Sequence, residues 1–323
     1  MDTALYQRFA ADWAAVWPSD APVGLAVSGG PDSLALLLLA AAALDGSTRG
    51  RFRAATVDHG LRGESANEAA AVASLSAERG MAHATLTLDL GPGPALQERA
   101  RAARYAALGD WADAHGLKAI VTAHHADDQA ETLLMRLNRG AGVRGLAAMR
   151  AVSTVPGRPG CALLRPLLGW RRSELAEIVT GAAISAADDA SNHDLRFERV
   201  RMRTDLAGVP WLNSGALAAS ASHLADADAA LDWAAERSLA EAVGDGAALR
   251  WAPEDTPRAL VLRVLERIAG QMGSSVPRGS AVARWHDQLT AGRIATLAGI
   301  RADGRGEVWC FTRAPPPRTT RSP

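Results

Sequence analysis

The chain has few cysteines, and the two that it has do not form a recognisable cysteine-based site. Cys161 and Cys310 stand far apart in 323 residues, and neither belongs to a C-x-x-C pair. This excludes a disulfide scaffold, a zinc ribbon and a cysteine-ligated cluster as the basis of the fold, and it is typical of a reducing cytosol. We therefore expect a cytoplasmic protein.

Long apolar runs and an overall charge imbalance are also missing. The longest apolar run, Leu34 to Leu44, is too short to span a bilayer, and the first residues do not resemble a signal peptide. We expect no membrane partner. The formal net charge is zero, so any nucleic-acid surface must be a local patch. Lysine is nearly absent, since Lys118 is the one lysine among 35 basic residues, a bias that a GC-rich genome explains.

What the chain does have is a regular alternation of short apolar runs and helical periodicity in its first half. Four strand–helix pairs in succession predict a doubly wound parallel sheet, hence an α/β fold with helices on both faces. The predicted strands are 23–27, 53–57, 84–88 and 118–122, and the predicted helices are 33–44, 65–79, 95–115 and 127–139. A final strand is expected over 161–165.

The second half predicts a smaller, mainly helical domain that ends in a β-hairpin. Periodicity predicts helices over 216–243, 257–269 and 280–291, followed by hairpin strands over 294–300 and 306–312. We expect one domain over 1–209, a second over 210–313, and a disordered tail rich in proline and arginine over 314–323.

A Gly-rich turn, Ser28-Gly29-Gly30-Pro31-Asp32-Ser33, joins the first predicted strand to its helix. Such a turn presents backbone N–H groups to an anion, and its glycines let phosphate oxygens approach. Pro31 suits a first helical turn, and Ser28 or Ser33 can cap the helix. Because the turn lacks the lysine of a Walker A loop, it is suited to a pyrophosphate leaving group, which indicates AMP transfer. An ordinary capped turn is the structural alternative.

Two further polar clusters follow predicted strands. One is D-H-G-L-R over 58–62, and the other is H-H-A-D-D-Q-A-E-T over 124–132. Open α/β sheets bind ligands at the carboxyl ends of their strands, so we expect these clusters and the Gly-rich turn to converge on one crevice.

Asp128 and Glu131 are three residues apart at a helix start and should share one face. Two carboxylates facing a phosphate loop would repel a nucleotide unless Mg²⁺ or a cationic substrate intervenes. A capping box is the structural alternative. His124 and His125 lack a third ligand at zinc spacing, so hydrogen bonding to phosphate or nucleotide is favoured over structural zinc.

Arginines concentrate in two short segments of the chain. A solvated charged face is the ordinary interpretation, and contact with an RNA backbone is the second. The first segment contains Arg99, Arg101 and Arg104, and the second contains Arg196, Arg199, Arg201 and Arg203.

These motifs together resemble a known family. The string over 28–33 resembles the loop of the PP-loop ATP pyrophosphatases, and with the clusters over 58–62 and 124–132 the chain resembles the tRNA(Ile)-lysidine synthases. Roughly the first two-thirds match closely. The last third matches weakly, mainly over 292–311. Further matching motifs are Arg101-x-x-Arg104-Tyr105, Arg139-Gly140-Ala141-Gly142, Arg165-Pro166-Leu167-Leu168 and Asp189-x-Ser191-Asn192.

The resemblance implies an adenine nucleotide alpha hydrolase-like fold and an ATP-dependent ligase. ATP would activate the C2 oxygen of the wobble cytidine in a CAU-anticodon tRNA(Ile), and free L-lysine would then displace AMP to give lysidine. Residues 1–209 would be the PP-loop catalytic domain, and 210–313 the tRNA- and substrate-binding domain. The implied cofactors are ATP and Mg²⁺. The sequence leaves the oligomeric state open, and a homodimer is one candidate.

The resemblance also implies roles for single residues. Asp32 would hold Mg²⁺ and His124 would contact the α-phosphate region. Asp128 and Glu131 would bind the lysine ammonium, and one of them would take its proton. The implied nucleotide-binding residues are Ser28, Gly29, Gly30, Pro31, Asp32, Ser33, Asp58 and His59. The implied tRNA-binding residues are Arg101, Arg104, Arg196, Arg199 and Arg203. One departure is Val200, where the family often has asparagine.

Three other interpretations stay open at this point. A tRNA-thiolating PP-loop enzyme would need sulfur-relay cysteines, which Cys161 and Cys310 do not supply. A regulatory nucleotide-binding module would release no pyrophosphate. A small-molecule amidating synthetase would turn over without RNA.

Overall fold

The computed structural model describes residues 3–43, 51–58, 65–91, 93–187, 194–244, 246–275, 277 and 279–315. His59 and the rest of the D-H-G-L-R motif lie outside the described residues, as do the Asp189-x-Ser191-Asn192 motif and most of the predicted tail. Contacts divide the chain into two compact units, 1–225 and 226–323. This division falls inside a long helix, whereas the sequence placed the domain boundary near 209.

The first unit alternates strands with helices. Its helices are α1 (Thr3–Val16), α2 (Pro31–Ala43), α3 (Ser65–Glu78), α4 (Leu96–Ala114), α5 (Ala126–Asn138), α6 (Val143–Leu146), α7 (Arg172–Gly181) and α8 (Glu198–Ala207). Its strands are β1 (Val23–Ala26), β2 (Phe52–Asp58), β3 (Ala82–Thr87), β4 (Ala119–Val121), β5 (Val152–Val155) and β6 (Arg158–Leu164). Helix α9 (Ser214–Ala240) crosses into the second unit.

The six strands form one sheet in the order β3-β2-β1-β4-β6-β5. All neighbouring pairs are parallel except β5 and β6, so the predicted doubly wound parallel sheet is confirmed. Strand β5 was not predicted. It pairs antiparallel with β6, and Gly157 lies in the turn between the two strands. The order along the sheet reverses between β1 and β4, and the carboxyl ends of these neighbours open the crevice in which such folds bind ligands.

Apolar layers cover both faces of this sheet. On one face α2 is buried along the whole of 34–40, because α1 and α7 pack against it, and α3 adds Val72 and Leu75 to the same core. On the other face α4 packs Tyr105, Leu108 and Trp111 against the strands. A Cβ on Gly24 of β1 would lie 2.2 Å from the Trp111 ring, so glycine is what lets α4 approach. None of the helices in the described ranges has the length and hydropathy needed to cross a membrane.

The second unit packs helices on an antiparallel sheet. Its elements are β7 (Val243–Gly244), β8 (Ala248–Trp251), α10 (Arg258–Met272), α11 (Gly279–Thr290), β9 (Ile294–Leu297), β10 (Ile300–Asp303) and β11 (Trp309–Arg313). The sheet order is β7-β8-β11-β10-β9. The predicted hairpin is present as β10–β11, but the single strand expected over 294–300 is two strands. Ala298 and Gly299 have φ of 50° and 79° and turn the chain between them.

Candidate active site

The loop Ser28–Ser33 crosses from the end of β1 to the start of α2. Gly29 has a φ of 87°, which glycine adopts without steric penalty. The Ser33 hydroxyl accepts a hydrogen bond from the Ser28 amide at 3.1 Å and donates one to the Gly30 carbonyl at 2.9 Å. Ser33 therefore braces the loop and does not cap the helix. The first turn of α2 provides the backbone amides that a helix start offers to an anion.

Asp32 stands in the first turn of α2, beside this loop. One carboxylate oxygen, Oδ1, is buried and has no hydrogen-bond partner within the described residues. Mg²⁺ in nucleotide sites is usually held by one or two carboxylates together with substrate phosphates, so Asp32 fits that role. Within the described ranges no group of three or more His, Cys, Asp or Glu side chains could hold a metal by itself.

His125 is the buried centre of the crevice, although the sequence analysis gave the principal role to His124. Its Nε2 lies 3.4 Å from Asp32 and 3.5 Å from Asp128, and its Nδ1 lies 3.4 Å from Asp127. Burial lowers the pKa of His125, but the adjoining carboxylates of Asp127, Asp32 and Asp128 raise it to about 10. His125 is thus an imidazolium ion at neutral pH. It faces carboxylates, which corrects the expectation that it would contact a phosphate.

The two aspartates at the start of α5 have different partners. Asp127 accepts a hydrogen bond from the Arg172 amide at 2.8 Å, which ties α5 to α7. Contact with His125 and this amide hold the pKa of Asp127 well below its usual range, although burial opposes them. Asp128 accepts from the His125 amide at 3.0 Å. A capping box therefore exists, but its cap is His125 and its acidic residue is Asp128, three residues earlier than the pair Asp128 and Glu131 suggested.

Burial raises the pKa of Asp128, but the charges of His125 and Arg199 outweigh it and leave the pKa below its ordinary value. Asp128 is therefore a carboxylate at neutral pH. Its side chain is 13 % exposed, so a substrate can still reach it.

Glu131 is buried, and arginines of α8 hold both of its oxygens. Arg199 Nε lies 2.6 Å from Oε2, and Arg203 Nε lies 2.7 Å from Oε1. Arg199 also bonds to Asp128 at 2.8 Å. From the sequence, the acidic residues of α5 were expected to bind lysine and the arginines of α8 to bind tRNA. In the structure these carboxylates and arginines form ion pairs with one another. We refer to His125, Asp127, Asp128, Glu131, Arg199 and Arg203 as the α5 charge cluster.

His124 lies beside this cluster and is half-buried. Its Nδ1 is 2.8 Å from the Thr122 hydroxyl. Burial lowers the pKa of His124 to about 4, and the nearby arginines Arg165, Arg199 and Arg101 contribute while Asp128 opposes them. His124 is therefore neutral at pH 7 and can donate or accept a hydrogen bond without carrying charge.

The remaining predicted residues lie at different distances from the crevice centre. Asp58 ends β2 and accepts from the Ser65 hydroxyl at 2.6 Å. Arg101 and Arg104 are exposed on α4. Arg196 is exposed and paired with its neighbour Asp194. Of the predicted tRNA-binding residues, only Arg199 and Arg203 join the α5 charge cluster.

Comparison with known proteins agrees with this geometry. A PP-loop domain model matches residues 3–209. A tRNA(Ile)-lysidine synthase of Novosphingobium aromaticivorans is 57% identical over 98% of this chain and 96% of its own length. One of Zymomonas mobilis is 42% identical over 93% and 90%. The chain belongs to the tRNA(Ile)-lysidine synthase family.

A solved structure outside this family shares the fold. The U34-tRNA thiolase NcsA from Methanococcus maripaludis superposes with a TM-score of 0.54 over 69% of this chain and 79% of its own, at 14% identity. This likeness extends to the PP-loop architecture alone. The tRNA(Ile)-lysidine synthase family therefore builds its site on a sheet that it shares with a distant enzyme.

Sequence reasoning undervalued three residues of the site. His125 was expected to bond to phosphate or nucleotide and not to carboxylates, and Asp127 was given no role of its own. Gln129 was not singled out, although its buried amide bonds to both the N–H and the carbonyl of Met149, at 2.8 and 2.9 Å. This clamp fixes the loop after α5. The signal that could have found His125 is the concentration of acidic residues in one helix start, which calls for a buried counter-charge.

Proposed function

We propose that this chain adenylates the C2 oxygen of the wobble cytidine in a CAU-anticodon tRNA(Ile) and then transfers free L-lysine to C2, releasing pyrophosphate and AMP. One observation carries the proposal. The phosphate loop after β1 and the carboxylates after β4 belong to neighbouring strands at the point where the sheet order reverses, and His125 contacts both sides.

In the first step the loop over 28–33 binds the β- and γ-phosphates of ATP, and the cytidine oxygen attacks the α-phosphorus. Pyrophosphate is the leaving group, and the backbone amides in the first turn of α2 would stabilise its charge. Asp32 would hold a Mg²⁺ ion that neutralises phosphate charge, and the family resemblance assigns Asp58 and His59 to nucleotide binding. His124, neutral at pH 7, would donate a hydrogen bond to the α-phosphate region, a role that the family resemblance supports.

In the second step the ε-amine of lysine attacks C2. A C–N bond forms, the C2–O bond breaks, and AMP leaves with that oxygen. A free lysine amine has a pKa of about 10.4, so a base must take its proton. Asp128 is our candidate for that base, because it is ionised and retains some exposure. For a lysine ammonium to contact Glu131, Arg199 and Arg203 must first release it.

The tRNA contacts are assigned to Arg101, Arg104, Arg196, Arg199 and Arg203, with further contacts from residues 210–313. The family resemblance and the clustering of arginines support this assignment. A chain ended after Ala225, at the limit of the first compact unit, should keep ATP binding and lose tRNA affinity. Equal tRNA affinity of the short and full chains would contradict a tRNA role for the second unit. We also propose a cytoplasmic location, and a homodimer as the assembly to test first.

The decisive experiment measures incorporation of radiolabelled lysine into a transcript of CAU-anticodon tRNA(Ile), with ATP and Mg²⁺ present or omitted. The proposal expects ATP-dependent labelling that disappears when the wobble cytidine is replaced by uridine. Pyrophosphate release that tRNA stimulates, without any labelling, would retain adenylation and reject lysine as the nucleophile.

Thiolation of tRNA is the second candidate, because the PP-loop sheet also supports a thiolase. The positions and burial of the two cysteines argue against a sulfur relay. Cys161 is buried on β6 and Cys310 lies on β11 of the other unit. Burial raises the pKa of the Cys161 thiol, so it is a poor nucleophile. Full lysine transfer by a variant with both cysteines changed to alanine would exclude a sulfur relay.

A further inference from the structure

Two arginines beside the crevice pack against one buried tyrosine. Arg165 directly follows β6, and Arg101 lies on the first half of α4. The Arg101 guanidinium lies 5.1 Å from the Tyr105 ring centre, and Tyr105 also acts on the pKa of Arg165, which burial lowers and Tyr105 raises. We call Arg101, Tyr105 and Arg165 the arginine–tyrosine cluster. Since β6 is parallel to β4, Arg165 stands at the carboxyl edge of the sheet, where ligands bind.

Arg165 is held rigidly, and yet one of its donors is unused. Its Nη1 donates to the Arg150 carbonyl at 2.7 Å and to the Ser153 hydroxyl at 3.0 Å. The residue is 8% exposed, and its Nε is buried without a partner in the described part of the chain. A buried donor that makes no hydrogen bond costs about 1–3 kcal/mol. The Nε donor therefore indicates that a bound ligand accepts a hydrogen bond from Arg165.

Within the described ranges, the arginine–tyrosine cluster has no carboxylate as its ion-pair partner. Among the described residues neither Arg101 nor Arg165 forms an ion pair with a carboxylate, and Asp128, whose charge acts on His124, is already paired with Arg199. The positive field reaches His124, whose pKa the charges of Arg165 and Arg101 help to lower. A buried cation without an anion is unfavourable, so a negatively charged group that binds beside Arg165 would be stabilised.

We propose that Arg165 and Arg101 form a subsite for a phosphate group, and that Arg165 supplies the fixed donor within it. Guanidinium groups bind phosphate oxygens with paired, charge-assisted hydrogen bonds. Because the Arg150 carbonyl and the Ser153 hydroxyl already order Arg165, little side-chain freedom is lost on binding. Within the proposed function, on which the choice of ligand rests, the phosphate belongs to either the RNA backbone or ATP.

The test compares Arg165→Gln and Arg165→Lys with the full-length wild-type chain. Binding of a CAU-anticodon tRNA(Ile) transcript is measured over a series of KCl concentrations, and ATP binding is measured by equilibrium dialysis. Loss of one RNA phosphate contact should lower affinity about 10-fold or more and reduce the log–log salt slope by about 0.7–0.9. Arg165→Lys, which keeps the charge, should retain the salt slope.

Arg53→Gln is the matched control, because Arg53 is an exposed arginine at the amino end of β2, on the opposite edge of the same sheet. A salt slope changed only in Arg165→Gln assigns the phosphate to RNA, and weakened ATP binding with an unchanged slope assigns it to ATP. The proposal is overturned when Arg165→Gln matches Arg53→Gln in both measurements.

Arg101→Gln changes an exposed side chain and provides the same test if Arg165→Gln does not fold. It should shift the same measurement in the same direction, and unchanged binding of both ligands would reject the subsite. These binding measurements need no turnover. A failure of the proposed function would instead appear as absent lysine labelling by the wild-type chain.

Discussion

The phosphate loop and the α5 charge cluster meet in one crevice, but they are built in different ways. The loop is mostly local, since the Ser33 hydroxyl bonds to Ser28 and Gly30 within five residues, and one long-range hydrogen bond joins the Ala187 amide to the Gly29 carbonyl at 3.0 Å. The cluster joins side chains about seventy residues apart, such as Glu131 and Arg203. Motifs can identify the first kind of site, whereas the second depends on how the chain packs.

Removal of the charge at the centre of the cluster should have the largest effect. His125→Gln leaves Asp32, Asp127 and Asp128 close together without their shared cation, and breaking a buried pair costs about 3–5 kcal/mol. The free energy of unfolding, from urea titration at pH 7, should fall by that amount. A loss below about 1 kcal/mol would show that His125 is not the counter-charge.

The pH dependence of stability tests the same ion. The folded-state pKa of His125 is about 10, above the ordinary value of about 6.5. Its stabilising contribution is therefore complete below pH 6.5 and is lost as the pH rises toward 10. Between pH 7 and 10 the wild-type free energy of unfolding should decline more steeply than that of His125→Gln. Parallel curves would contradict this assignment.

Asp32 joins the two regions, and its removal should affect chemistry more than folding. Asp32→Asn should lower the rate of tRNA-dependent pyrophosphate release about 10²–10³-fold, because the phosphate charge loses its carboxylate-held counter-ion. Asp20→Asn changes an exposed aspartate that pairs with Arg51 and is the control. Wild-type release by Asp32→Asn in Mg²⁺ would reject the metal role.

A fourth experiment compares a buried and an exposed ion pair, each of which has a partner on α8. Glu131→Gln removes the charge that holds Arg199 and Arg203, and should cost about 2 kcal/mol of stability and speed hydrogen exchange in α8. Glu198→Gln breaks the pair with Arg139, which is exposed on both sides, and should cost less than about 0.5 kcal/mol. Similar losses in the two variants would show that burial of Glu131 is not what anchors α8.

The smallest effect concerns the loop backbone. Gly29→Ala places a side chain at a φ of 87° and should cost about 1–2 kcal/mol, with weaker ATP binding. Gly30→Ala meets only the Ser28 hydroxyl, at 3.7 Å, and should leave stability unchanged. Any loss of ATP binding in that variant would come from the space that the methyl group takes. Calorimetric melting of both variants measures the cost of backbone strain, and ATP binding by both measures the steric effect of the added methyl group.

Much of this molecule was predictable because its signals are local. The strand–helix alternation gave the parallel sheet, and the Ser28–Ser33 string gave the phosphate loop. The predicted helix over 127–139 is α5 within one residue at each end. The second unit was harder. The turn at Ala298 places a non-glycine residue at positive φ, which no pattern signals, and β7 and β8 are too short to stand out.

The sequence by itself determined the order of elements, the phosphate loop and the positions of the acidic and basic groups, because each depends on near neighbours along the chain. Tertiary structure alone decided which charges meet. It buried His125 among three carboxylates, closed Glu131 with two arginines and left Arg165 Nε without a partner. The physical reason is that ion pairing and desolvation depend on distances across the fold, which residue spacing along the chain does not contain.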